Sequence, residues 1–182
     1  MILKDKTAVI TGCNRGIGFS ILEIFSKNGA NIIACVRKNN DAFSKQVIKI
    51  SEKYSNKIKI VVFDLDNEKE IEEGFLTIKN LTKKIDILVN NAGINQMSLF
   101  QMTPLRIFRS VFETNFFSVV NLTQKMLKLI VKNSNSKIIN INIMIIPPLL
   151  VAGILGFNII LKIYSNASVV LLLLKNIKEN EK

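Results

Sequence analysis

Short apolar runs alternate along the chain with longer segments in which apolar residues recur every three or four positions. Short runs are typical of buried strands, and the longer segments are typical of helices that cover a sheet. Five strands are predicted, over residues 7–11, 31–36, 58–63, 85–90 and 137–143. Four helices are predicted between them, over residues 16–27, 42–54, 68–81 and 104–131. This order predicts an α/β fold, a doubly wound parallel sheet with helices on both faces.

A glycine-rich turn follows the first predicted strand and opens the first predicted helix. Glycine lets a ligand approach the backbone closely, and the N-terminus of a helix favours negative charge, so the turn suits a pyrophosphate. A tight strand-to-helix turn without any ligand is the alternative. The predicted cofactor-binding residues of this turn are Gly12, Asn14, Arg15, Gly16, Ile17 and Gly18.

A second motif, Asn90-Asn91-Ala92-Gly93, directly follows the fourth predicted strand. Together with the Thr-Gly-x-x-x-Gly-Ile-Gly turn, it resembles the short-chain dehydrogenase/reductase family, and within it the 3-oxoacyl-[acyl-carrier-protein] reductase type. The resemblance implies a Rossmann-like fold, because that is the family's architecture. In that family the Asn-Asn-Ala-Gly turn stabilises the sheet and lines the cofactor site, which implies cofactor contacts at Asn90, Ala92 and Gly93.

The end of the second predicted strand decides between the two nicotinamide cofactors. A carboxylate there binds the free ribose 2′-hydroxyl, whereas a basic residue receives a 2′-phosphate. Arg37 and Lys38 follow this strand, with no carboxylate at its tip. We therefore expect NADP(H) in preference to NAD(H), with Arg15 assisting Arg37; ordinary surface cations are the alternative. The resemblance adds Asp64 and Leu65 as adenine contacts, and a turn or capping role for Asp64 is the alternative.

The resemblance also implies catalytic positions. Asn115 matches the family's active-site asparagine, although a packed, hydrogen-bonded polar residue in an apolar helix is the alternative. The family's serine is replaced on the fifth strand, where Asn142 is the candidate donor to a carbonyl. Tyr164 matches the proton-transferring tyrosine, but Ser168 occupies the lysine position of Tyr-x-x-x-Lys. Serine cannot lower the pKa of a phenol by charge.

Two functions stay open at this stage. One is an NAD(P)(H)-dependent short-chain oxidoreductase, with NADPH-linked reduction of a small carbonyl or oxidation of an alcohol by hydride transfer. The other is a catalytically inactive NADP-binding remnant. With 182 residues we expect a single dinucleotide-binding domain over 1–182, well matched to the family over 1–140. Residues 141–182 are atypical and apolar, which predicts an incomplete C-terminal part from truncation, a frame change or decay of the coding sequence.

Composition excludes several partners. The net charge is +11, but the lysines are scattered among asparagine and isoleucine, so no nucleic-acid partner is expected. There are no histidines and only two cysteines, Cys13 and Cys35, so we expect no metal site and no disulfide framework. The charged N-terminus predicts no secretion signal and a cytoplasmic location. Residues 143–161 carry no charge and are about long enough to cross a membrane as a helix, so membrane contact is an alternative. The prolines and glycines of this stretch favour a packed segment instead. A homo-oligomer is compatible with the resemblance.

Overall fold

The computed structural model describes residues 1–95, 102–131 and 135–141. Within these residues five strands form one parallel sheet in the order β3-β2-β1-β4-β5. The strands are β1 (Thr7–Thr11), β2 (Asn31–Val36), β3 (Ile58–Val62), β4 (Ile87–Asn90) and β5 (Lys137–Asn140). The chain builds outward from β1 to β3 and then returns to the other side of β1. The predicted Rossmann-like, doubly wound sheet is confirmed, and its order reverses between β1 and β4, where such folds bind ligands.

Helices cover both faces of the sheet, as the alternating pattern predicts. The helical elements are α1 (Gly16–Lys27), α2 (Asp41–Tyr54), α3 (Glu68–Leu81), α4 (Leu105–Phe112), a π segment (Glu113–Phe117) and α5 (Ser118–Ile130). One face of the sheet packs against α1 and α2, and the other packs against α3 and α5. Burying a large aliphatic or aromatic side chain contributes about 1.5–3 kcal/mol. The two apolar layers therefore hold the sheet in a three-layer arrangement.

Local sequence signals explain where α2 and α3 begin. The Asn40 side chain accepts a hydrogen bond from the Phe43 N–H (2.8 Å), and Asn67 accepts hydrogen bonds from Lys69 and Glu70. These asparagines satisfy backbone donors that have no partner inside the helix. In α2, Phe43, Val47 and Ile50 are buried, at the spacing that forms one helical face. Asparagine caps and apolar spacing together fix both helices.

The predicted helix over residues 104–131 is wrong as one uninterrupted α-helix. A π segment separates α4 from α5, and α4 contributes no buried residue. Burial begins with Thr114 and Asn115, which are 7% and 5% exposed. A π turn accommodates an extra residue and is stable only where tertiary contacts compensate its weaker backbone geometry. Hydropathy spacing does not encode those contacts, so the sequence alone predicts a regular helix.

Strand ends differ from the predictions by one or two residues. Strand β3 ends at Val62, and β4 begins at Ile87; two residues earlier, the Ile85 N–H donates to the Leu129 carbonyl of α5 (3.2 Å). Strand β5 ends at Asn140; of the remaining predicted residues, 141 is described and lies outside the strand, and 142–143 lie outside the described residues. Residues 143–161 lie outside them, as do Asn142 and Tyr164. Across the parts of the chain that the structure describes, no helix is long and apolar enough to cross a membrane.

Candidate functional site

The glycine-rich turn and the Asn-Asn-Ala-Gly turn meet at the carboxyl ends of the central strands. The Gly12 N–H donates to the Cys35 carbonyl at the end of β2 (2.9 Å). On the other side of β1, Asn91 Nδ2 donates to the Thr11 and Gly12 carbonyls, both at 3.0 Å. The glycine turn is therefore anchored to β2 by its backbone and to the loop after β4 by an amide side chain.

Thr11 is the polar centre of this junction. Its hydroxyl oxygen accepts hydrogen bonds from the backbone N–H groups of Asn91 and Ala92, both at 3.0 Å. The same hydroxyl donates to the Val89 carbonyl (3.4 Å), and Thr11 is only 3% exposed. One buried hydroxyl thus pairs with three backbone groups of β4 and the following turn.

Two glycines are required by close contacts at the junction. Gly12 has a φ of +65°, and a Cβ there would lie 2.8 Å from the Ala92 Cα. A Cβ at Gly18 would overlap the Gly12 carbonyl oxygen and Asn91 Nδ2. Any larger residue would force the two turns apart. The predicted residues Gly12, Gly18 and Ala92 are therefore brought together by the structure.

The N-terminus of α1 is available to an anion. Arg15 is its N-cap residue, and no side chain caps the first turn, which also contains no acidic residue. A Cβ built on Gly16 would meet no described atom within 4 Å. Asn14, Arg15 and Gly16 are exposed, and Ile17 is partly buried. Within the described residues this helix end thus combines backbone N–H groups without a side-chain cap, a positive dipole and open space, which are the features that a phosphate requires.

The residues predicted to bind the ribose and adenine lie on neighbouring strand ends. Arg37 directly follows β2, is exposed, and lies two residues beyond Cys35, whose carbonyl holds the glycine turn. Asp64 and Leu65 follow β3, whose end is tied to β2 by the hydrogen bond from Phe63 N–H to the Val36 carbonyl (3.0 Å). Asp64 is partly buried and Leu65 is buried. Parallel pairing thus gathers these residues at one edge of the sheet.

Asp64 also has a structural role in its turn. Its carboxylate accepts a hydrogen bond from the Asp66 N–H (3.0 Å), and its own N–H donates to Glu70 Oε2 (2.8 Å). This is the local turn geometry that aspartate favours. The turn alternative for Asp64 is therefore present in the structure, and a ligand contact would use the remaining carboxylate capacity.

Asn115 holds the end of the Asn-Asn-Ala-Gly turn. Its Oδ1 accepts from the Ile94 N–H (2.8 Å), and its Nδ2 donates to the Ile94 carbonyl (2.9 Å). A Cβ at Gly93 would lie 3.0 Å from Asn115 Oδ1, so the glycine lets the turn approach this side chain. The packed and hydrogen-bonded alternative for Asn115 therefore describes its environment. Its position beside Gly93 places the π segment against the Asn-Asn-Ala-Gly turn.

Asn90 links the central sheet to α5. Its Nδ2 donates to Asn140 Oδ1 on β5 (2.8 Å) and to Thr123 Oγ1 on α5 (3.0 Å). Asn90 is 1% exposed and faces Asn140 directly in the register of the parallel strands. The side chain thus joins two strands and a helix. Asn90 is therefore buried within the sheet at the start of the turn, whereas Gly93 at its end is exposed.

Both thiols are buried and unsuited to chemistry. Burial raises the pKa of the Cys13 thiol from 9.0 to about 12, and burial also raises the pKa of Cys35. A thiol is reactive only as the thiolate, so both groups stay protonated and inert at neutral pH. Cys13 is a small buried residue of the glycine turn.

The two sequence motifs contain Thr11 and Asn91 but do not reveal their hydrogen-bond partners, and they contain neither Thr114 nor Asp66. Thr11, Asn91, Thr114 and Asp66 make hydrogen bonds across 48 to 81 residues of chain, and such partners have no local signature. Only the Thr-Gly dipeptide at the end of β1 is a visible signal for Thr11. Tyr164 and Asn142 lie outside the described residues, so the predicted catalytic group is represented in the structure by Asn115 alone.

The fold and the junction have the arrangement of the dinucleotide-binding class of α/β folds, in which a glycine turn opens the first helix at the reversal of strand order. Residues 6–145 match the family model described as short chain dehydrogenase. The chain therefore belongs to the short-chain dehydrogenase family, and its nicotinamide-dependent relatives are oxidoreductases.

Individual relatives agree with this assignment. The 3-oxoacyl-[acyl-carrier-protein] reductase FabG of Aquifex aeolicus is 34% identical over 141 residues, which are 77% of this chain and 56% of the relative. The structure of L-sorbose reductase from Gluconobacter frateurii, complexed with NADPH and L-sorbose, aligns with a TM-score of 0.70 at 25% identity and covers 77% of this chain and 54% of that one. Pseudomonas aeruginosa RhlG, in an NADP active-site complex, aligns with a TM-score of 0.69 at 27% identity, covering 76% and 54%. The chain thus spans about half the length of the relatives it matches.

Replacing Thr11 by Val should destabilise the fold, because valine has the shape of threonine but removes the acceptor of the Asn91 and Ala92 N–H groups. We expect a loss of roughly 1–3 kcal/mol in the free energy of unfolding, measured by urea denaturation. Thr11→Ser, which keeps the hydroxyl, is the matched control and should lose clearly less. Equal losses in the two variants would show that the methyl group, and not the hydrogen bonds, matters.

Proposed function

We propose that this chain binds NADP(H) as the cofactor-binding part of a short-chain oxidoreductase acting on a small carbonyl or alcohol. One observation carries the proposal: the glycine turn leads into an N-terminus of α1 that has no side-chain cap, and hydrogen bonds of Thr11 and Asn91 hold this turn against the end of β4. The nicotinamide supplies the hydride in such reactions, and the protein supplies position and charge. Relatives described in complexes with NADP and with NADPH support the choice of cofactor.

The proposed cofactor contacts follow the strand ends. The backbone N–H groups of residues 14–18 would meet the pyrophosphate, and Asp64 and Leu65 would meet the adenine. Arg37 and Arg15 would meet the 2′-phosphate, because both are exposed and the turn that carries Arg15 is hydrogen-bonded to the strand that precedes Arg37. A guanidinium group gives bidentate, charge-assisted hydrogen bonds to phosphate. Ala92 and Gly93 would line the path towards the nicotinamide.

Replacing Arg37 by Glu should weaken NADPH binding at least tenfold, because the arginine–phosphate attraction becomes repulsion. The affinity for NADH, which has no 2′-phosphate, should change by no more than about threefold. Titration of the reduced-nicotinamide fluorescence measures both affinities. Lys83→Glu makes the same charge change at an exposed site before β4 and is the control. Parallel loss of both cofactors in Arg37→Glu would contradict recognition of the 2′-phosphate, and no binding of either cofactor to the parent protein would refute the proposed function.

The second candidate function is binding of the cofactor without turnover. It is favoured by the sequence at the family's tyrosine–lysine motif, where Ser168 follows Tyr164 at the lysine spacing. A lysine there would lower the pKa of the phenol and hold the ribose, whereas serine carries no charge. Asn115 and Asn142 would then be the remaining polar groups near the substrate carbonyl.

Turnover distinguishes the two candidates. For the oxidoreductase we expect NADPH oxidation that depends on an added β-keto thioester and falls 10²- to 10⁴-fold in Tyr164→Phe, the range typical of a lost general acid. Tyr54→Phe, at the end of α2, is the matched control. Binding of NADPH with no Tyr164-dependent turnover would select the binding module.

We also propose that α5 mediates self-association. Exposed side chains on α5 and at its two flanking residues form the α5 stripe: Phe117, Val120, Gln124, Leu127 and Val131. Spacings of three and four residues form one seam along a helix. The stripe is nearly symmetric about Gln124, so an antiparallel second copy would place Phe117 of each chain near Val131 of the other, as a two-fold interface requires.

Replacing Leu127 by Lys should convert the associated protein to monomer, because a charge would be buried in the seam. Sedimentation velocity at several protein concentrations measures the change. Leu76→Lys, which alters an exposed leucine on α3, should leave the association unchanged. A concentration-independent monomer for the parent chain would contradict the proposed interface.

A further inference from the structure

A side-chain hydrogen bond joins the π segment to the loop between β3 and α3, and neither sequence motif includes its two residues. Thr114 Oγ1 in the π segment donates to Asp66 Oδ1 in the loop between β3 and α3, at 2.6 Å. This distance is in the short range of hydrogen bonds to a carboxylate, which are stronger than neutral ones. The Asp66 loop contains the proposed adenine contacts, and the π segment contains Asn115.

The Asp66 end of this link is held firmly. The Asp66 N–H donates to Asp64 Oδ1 (3.0 Å), and the Asp64 N–H donates to Glu70 Oε2 in the first turn of α3 (2.8 Å). Glu70 Oε1 in turn accepts from the Asn67 side chain that caps α3 (2.9 Å). The carboxylate that receives the Thr114 hydroxyl therefore belongs to a hydrogen-bonded loop anchored on a helix.

The Thr114 end lies where the backbone most needs an external anchor. Threonine in a regular helix commonly bonds a carbonyl three or four residues earlier, whereas this hydroxyl reaches a residue 48 positions away. π segments have weaker backbone hydrogen bonds than α-helices, so tertiary contacts set their geometry. Thr114 is 7% exposed, so its hydroxyl would lose its partner without gaining full access to water.

The next residue transmits this anchor to the cofactor side. Asn115 immediately follows Thr114 and bonds both the N–H and the carbonyl of Ile94. The turn also lies close to this side chain, since a Cβ built on Gly93 would lie 3.0 Å from Asn115 Oδ1. A displacement of the π segment would therefore change the position of the Ile94 backbone and of the turn before it.

We propose that Thr114 and Asp66 are positioning residues, which fix Asn115 and through it the turn ending at Ile94. The placement of Asn115 rests on contacts within the protein alone. Its consequence for the nicotinamide end of the cofactor rests on the proposed function. The link makes the geometry of the nicotinamide side depend on the loop that would hold the adenine.

Amide exchange in the full-length protein without cofactor tests the placement. In Thr114→Val the Ile94 N–H should exchange about 3- to 10-fold faster, the opening expected from loss of one hydrogen bond. Thr114→Ser, which retains the hydroxyl, should exchange at the parent rate. The Val9 amide in β1 is the internal reference, and it should be unchanged. Asp66→Ala should reproduce Thr114→Val, and Asp66→Asn, which keeps an acceptor oxygen, should restore slow exchange.

Two results would overturn the inference. The first is equal Ile94 exchange in Thr114→Val and Thr114→Ser. The second is an equal rise at Ile94 and Val9, which would indicate general destabilisation instead of local positioning.

Cofactor fragments test the functional consequence separately. We expect Thr114→Val to weaken NADPH about 3- to 10-fold while the affinity for adenosine 2′,5′-bisphosphate, which lacks the nicotinamide, stays within about twofold. Equal weakening of both ligands would place the effect at the adenine loop and contradict transmission to the nicotinamide end. If the parent protein binds neither ligand, the proposed function fails, while the exchange result still decides the positioning role.

Discussion

The hydroxyl of Thr11 is the interaction on which the candidate site depends. It is buried at the end of the central strand and pairs with three backbone groups of β4 and the turn that follows. A buried backbone group without a partner costs free energy comparable to a lost hydrogen bond, so the turn has a strong preference for this position. Asn91 completes the junction by bonding the Thr11 and Gly12 carbonyls. Together these bonds hold the glycine turn in place before any ligand arrives.

Burial of side chains against the sheet explains how α1 can be stable without an N-terminal cap. The N-terminus of α1 has no side-chain cap and no acidic residue, and both absences cost local helix stability. The helix compensates by burying Ile21, Leu22 and Phe25 against the sheet. Its free N–H groups can then be reserved for an anion. The conflict between local propensity and tertiary packing falls at the place where the phosphate of a cofactor is proposed to bind, as is common at functional sites.

A second set of long-range hydrogen bonds surrounds the Asn-Asn-Ala-Gly turn, where the nicotinamide is proposed to lie. Asn90 joins β4 to β5 and α5, Asn115 holds Ile94, and Thr114 reaches Asp66. Lys125 of α5 forms an ion pair with Glu72 of α3. The hydrogen bond from this ammonium group lowers the pKa of the Glu72 carboxyl. Both groups are partly exposed, so this pair adds little stability. The buried amides and hydroxyls, by contrast, determine where each loop lies.

The sequence by itself determined the order of strands and helices and the location of the two glycine-containing turns. These features are encoded locally, because apolar spacing, asparagine caps and strand-ending glycines act over a few residues. Only the tertiary structure decided that residues 113–117 form a π segment, that β4 begins at Ile87, and that Thr11, Asn91, Asp66 and Thr114 connect the site. The reason is physical: a hydrogen bond between residues 48 to 81 positions apart depends on how the sheet brings strand ends together, and no local pattern records that distance.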